Sequence, residues 1–104
     1  MIIDEIKESV NEFVKIDPNM DDLVKEYMDK WVSLLTKSLS ETLYFLDNAD
    51  EDTIFYTCTT WETISSFFKS NELIMHMGKC VDRFLNNSEI LRINLDYAKE
   101  AAKK

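Results

Sequence analysis

The chain has 104 residues, 45% of them hydrophobic and 31% charged, and its net charge is −8. This excludes a disordered polyelectrolyte and suits one globular domain with a real core. Twenty acids against twelve bases speak against a phosphate-backbone binder, and a single Gly and a single Pro speak against a turn-rich sheet protein.

The first predicted helix covers 2–15. Ile2, Ile6, Val10 and Phe13 recur at helical spacing, and Ile3 and Val14 widen the stripe. Asp17 and Pro18 then stop that helix and start a second, with Asp17 as N-cap and Pro18 in the first turn. The second helix is expected to be the long central element, 18–46. Leu23, Tyr27, Trp31, Leu35, Leu39 and Leu43 hold the period throughout. Ser38 with Glu41 fits a capping box, which marks the place where this run would break.

Residues 47–52 read DNADED and form the next corner. The segment after it, TIFYTCTTW at 53–61, is rich in β-branched and aromatic residues, as strands are. Ile54, Cys58, Trp61, Ser65 and Phe68 nevertheless fall at helical spacing, and a lone strand would have no partner. A third helix over 52–69 is expected, capped by Asp50 or Asp52. A fourth covers 71–86, with Ser70 or Asn71 as cap and Leu73, Met77, Cys80, Val81 and Phe84 on its inner face. Gly78 inside it marks either close backbone packing or a weak helix. A fifth covers 89–102 with Ser88 as cap. The expectation is an all-α, compact bundle of about five helices with one long central helix, forming a single domain over 1–104. Its predicted core holds Ile6, Val10, Leu23, Trp31, Leu35, Leu39, Leu43, Trp61, Phe68, Cys80, Phe84 and Leu91.

No catalytic arrangement emerges. His76 and Cys80 stand one helical turn apart, but two ligands do not make a zinc site. DNADED lacks the glycine and the distal glutamate of a calcium loop. Asp4, Glu8 and Glu12 share a stripe without a matching set on a second helix. A phosphate loop needs clustered glycines. The reading is therefore a protein that is not an enzyme, with no cofactor and no metal. Cys58 and Cys80 sit among apolar neighbours and read as buried thiols. The absence of an apolar leader and of a long apolar run implies a cytoplasmic protein with no membrane contact.

Charge is distributed in blocks. Residues 41–68 carry six acids and no base, whereas residues 69–104 carry seven bases and five acids. Acids favour helix starts and solubility, yet neighbouring like charges repel and lysines would relieve them. The functional expectation is a non-catalytic acidic protein of inhibitor, immunity or anti-defence type. It would cover a basic site, such as that of a nuclease, on a partner protein, without contacting nucleic acid itself. The expected contact residues are Glu41, Tyr44, Asp47, Asp50, Glu51, Asp52 and Tyr56. The alternative is a helical adaptor, chaperone or self-associating subunit, a homodimer included, that uses an exposed aromatic face.

Overall fold

The computed structural model describes residues 2–17 and 19–104. Seven α-helices are present among them: α1 Ile2–Phe13, α2 Asp21–Leu35, α3 Leu39–Asn48, α4 Glu51–Thr57, α5 Trp61–Phe68, α6 Asn71–Arg83 and α7 Ser88–Lys103. Short 3-10 turns occupy Cys58–Thr60 and Leu85–Asn87. No strand occurs among the described residues. The Cα radius of gyration is 12.8 Å, close to the ~13 Å of a compact 100-residue domain.

The long apolar run of the second predicted helix is divided between α2 and α3. The division falls where the capping box lies: Ser38 Oγ accepts from the Glu41 backbone N–H, and Ser38 is extended. Thr42 reinforces the corner by donating its hydroxyl to the carbonyls of Leu35 and Ser38. The start of α2 differs from expectation. Asp17 does not cap it; its carboxylate accepts from the Asn19 backbone N–H in a local turn, and the helix begins at Asp21 after Met20. The role expected of Pro18 lies outside the described residues. Ser88 likewise is not a cap but the first residue of α7, which follows Asn87.

The strand-like segment is helical, and its threonines show how. Asp50 caps α4 through the Thr53 backbone N–H. Thr57 Oγ1 donates to the Thr53 carbonyl and Thr60 Oγ1 to the Thr57 carbonyl, both at 2.7 Å. These hydroxyls satisfy themselves on the preceding turn, which strains a regular helix and accompanies the tightening to 3-10 at Cys58–Thr60. The predicted helix over 52–69 is therefore α4, that turn and α5. Lys69, in the left-handed region at φ 49°, ends α5. Ser70 caps α6 by accepting from the Leu73 N–H.

One core draws on all seven helices, from Ile6 and Val10 through Trp31, Phe45, Ile54, Trp61 and Leu73 to Leu91. Of the predicted core, Leu39, Leu43, Phe68 and Phe84 are half-buried against it. Leu23 is half-exposed at the start of α2. Among the described residues no buried side-chain hydroxyl lacks a hydrogen-bond partner: Ser65 donates to the Ala98 carbonyl at 2.7 Å and ties α5 to α7, and Ser9 accepts from Trp31 Nε1 at 3.0 Å. Nothing approaches the position of a Cβ at Gly78, so the glycine weakens α6 without serving a close contact.

Candidate functional site

The acidic corner is built by the end of α3 and the start of α4. α3 carries no base in its last turn, and its own Asn48 side chain reaches back only to the Tyr44 carbonyl, which leaves the Leu46 and Asp47 carbonyls to other elements. α6 supplies the answer. Arg83 donates to the Asp47 carbonyl at 2.6 Å, the Leu46 carbonyl at 2.8 Å and the Ala49 carbonyl at 3.4 Å. Two turns earlier on the same face, His76 Nδ1 lies 2.7 Å from Asp47 Oδ1. α1 supplies a second cation: Lys7 Nζ lies 3.1 Å from Asp50 Oδ2. The carboxyl of Asp50 is held below its ordinary range, chiefly by hydrogen bonding from Thr53 and additionally by Lys7.

The residues singled out from the sequence are therefore dispersed over several places rather than gathered in one. Asp47 faces α6. Glu41 and Tyr44 line a shallow depression with Ile2 of α1 and Ser40. Glu51 accepts from Asn87 Nδ2 at 2.7 Å, which links α4 to the start of α7. Asp52 is exposed one turn before Tyr56. Tyr56 is half-buried, its ring edge-on to Phe13 at 6.0 Å and to Phe55 at 5.3 Å. Glu41 and Asp52 show no ion pair among the described residues, whereas the Asp47 carboxylate meets the His76 ring of α6 and Asp50 meets Lys7 of α1.

Beside Tyr56 lies a feature that the sequence reading did not isolate. An apolar groove of about 200 Å³ runs between α1, α2 and the α4 segment, lined by Phe13, Met28, Trp31, Phe55, Tyr56 and Ile90, with Val24, Cys58 and Thr59 completing it. Its wall is an aromatic stack: Phe13 meets Trp31 edge-on at 5.1 Å and Tyr27 at 5.7 Å. Tyr27 donates its hydroxyl to Glu12. The lining residues come from four separate helices and the 3-10 turn at Cys58–Thr60, so no local spacing announces them.

The thiols are chemically quiet. Cys58 donates to the Phe55 carbonyl at 3.0 Å and Cys80 to the Leu46 carbonyl at 3.2 Å. Burial pushes both up to about 11, which keeps them protonated at neutral pH. His76 turns to Asp47, and no group of three metal-ligating side chains gathers among the described residues. No described helix is long and apolar enough to cross a membrane. Compared with known proteins, the chain matches no family model, no curated protein and no solved structure.

Proposed function

We propose that the protein acts without catalysis, as an acidic inhibitor or immunity-type protein that covers a basic site on a partner protein. It would work in the cytoplasm and bind the nucleic-acid-binding or nuclease surface of that partner rather than nucleic acid. The observation that carries this is the pair of exposed carboxylates, Glu41 and Asp52, left without an ion pair among the described residues on a chain of net charge −8. Tyr44, 47% exposed beside Glu41, adds contact area with a hydroxyl of the kind that interfaces use. Long-range attraction between such a surface and a cationic one accelerates encounter. Asp47, Asp50 and Glu51 contribute to the field while also holding the corner together.

The test is capture of a partner from the native host at low and high ionic strength, with the wild type and a Glu41→Lys/Asp52→Lys variant. These two positions are chosen because Asp50 caps α4 and its loss would disturb the fold. A basic partner is expected. Its association should slow in the variant and weaken with salt, since exposed charges are screened beyond about 8–10 Å. Equal association by both proteins overturns the proposal.

A second function is favoured by a different surface. On α7, Ile93 and Tyr97 share one outer stripe and are 46% and 55% exposed, and Phe67 of α5 lies beside Tyr97. Such a stripe suits a self-associating subunit or helical adaptor. Light scattering decides: a stable dimer at micromolar concentration that Tyr97→Glu dissociates supports it.

A further inference from the structure

We infer that the depression between α1 and α3 seats one arginine side chain of the partner, its guanidinium on the Glu41 carboxylate and its stem along Tyr44 and Ile2. This rests on the acidic-partner function above and names the group by which that partner is held.

The charge lies in the lining itself. Ser40, Glu41 and Tyr44 of α3 and Ile2 of α1 form the depression, and Glu41 is the one charged group among them. Its backbone N–H is held by the Ser38 cap, while its carboxylate has no hydrogen bond and no ion pair among the described residues. Lys37 precedes the extended Ser38, lies outside α3 and forms no ion pair with Glu41. Asp4 and Glu5 follow Ile2 in the first turn of α1 but do not line the depression, so they add nothing to this count.

The rest of the lining selects arginine. Tyr44 stands one turn after Glu41 and is 47% exposed, and its ring and hydroxyl have no partner among the described residues. The Ser40 hydroxyl is taken up by Ser38, 3.0 Å away, and Ile2 offers only an apolar edge. At about 140 Å³ the depression is far below the ~300–1,000 Å³ of sites that enclose a drug-sized ligand, and suits one side chain. A purely apolar occupant would cover Glu41 without compensating it, and an acid would be repelled. A guanidinium can lie over the tyrosine ring and bond the carboxylate at once, whereas an ammonium is a compact, strongly hydrated charge. Of this chain's own arginines, Arg83 is engaged with α3 and only Arg92 could serve a second copy, against a net charge of −8.

The experiment is an NMR titration of the full chain with N-acetyl-arginine amide. Two further probes replace the arginine by lysine or by citrulline, which keeps the shape and loses the charge. The expected result is saturable shifts centred on Ile2, Glu41 and Tyr44, with affinity roughly tenfold lower for citrulline and several-fold lower for lysine. Glu41→Gln should lower the affinity for arginine as much as citrulline does. Tyr44→Ala, at an exposed position that leaves the carboxylate in place, should lower it several-fold, and Tyr44→Phe should restore it because the ring makes the contact.

Equal binding of arginine and lysine, or an affinity that Tyr44→Ala leaves unchanged, overturns the arginine seat. So do equal binding of arginine and citrulline, no binding at low ionic strength, and shifts spread over the acids at large and unmoved by Glu41→Gln. None of these touches the acidic-partner function, which stands or falls on capture of a basic partner by the wild type and the Glu41→Lys/Asp52→Lys variant. Shifts at Tyr44 that follow protein concentration alone and vanish in Arg92→Ala overturn the external partner and assign the seat to a second copy.

Discussion

The corner between α3 and α4 and the groove beside it are built from the same kinds of residue, acids next to aromatics, but their charges meet different surroundings. At the corner, partners arrive from elsewhere in the chain: Lys7 from α1, and the His76 ring and Arg83 from α6. Towards the groove, Glu12 is bonded to a tyrosine hydroxyl rather than to a base, and Asp52, one turn before Tyr56, stays exposed with no ion pair among the described residues. A dense acidic stretch is thus partly structural glue and partly free field. Which acid is which follows from what packs opposite, not from the stretch itself.

The comparison is broken most forcefully at the shared foundation. Trp31 is 1% exposed, forms the groove floor and ties α2 to α1 through Ser9. Trp31→Ala should cost about 3–5 kcal/mol, a large share of a small domain's stability. Urea unfolding measures it, and a cost under about 1 kcal/mol would mean that the floor is not packed as described.

Arg83 comes next. Arg83→Ala strips the Asp47 and Ala49 carbonyls of this donor, leaves the Leu46 carbonyl with the Cys80 thiol alone, and should cost about 1–3 kcal/mol. Arg83→Lys should recover only part of that, because an ammonium lacks the planar fork that reaches several oxygens at once. Full recovery by lysine would show that charge alone matters at the corner.

Asp50 gives a smaller effect with a pH signature. Asp50→Ala removes the α4 cap and should cost about 1 kcal/mol at neutral pH. The folded carboxyl is held below its unfolded value, so the stabilisation is fully present above the unfolded range near ~3.9 and is lost as pH falls through the folded value. Asp50→Asn keeps a capping oxygen but should flatten that acid limb in unfolding measured against pH. An unchanged limb would separate Asp50 from Lys7 and Thr53.

The smallest effect belongs to the groove. Glu12→Gln should change stability by no more than about 0.5 kcal/mol, as expected of an exposed side chain that holds no buried contact. A loss as large as that of Asp50→Ala would make Glu12 part of the fold and remove the contrast between the two regions.

What was legible in the sequence divides along the same line. Helical periodicity sufficed for an all-helical chain, because the spacing of Ile6, Val10, Trp31, Leu35, Trp61, Cys80 and Leu91 records which face each helix buries. Local side-chain chemistry was legible too: Ser38, Asp50 and Ser70 cap as their positions suggest, since a cap acts within three residues of itself. Asp17 and Ser88 looked equally suitable and do not cap, because the chain enters those helices by another path.

The sequence alone determined the helical class, the acidity and most of the buried faces, all of which depend on residues within a turn or two of one another. Only the tertiary structure decided that Lys7 answers Asp50, that Arg83 closes α3 from 34 to 37 residues away, and that four helices leave an apolar groove beside Tyr56. Contacts of that separation leave no periodic trace, because they are set by how whole helices pack and not by the spacing within any one of them.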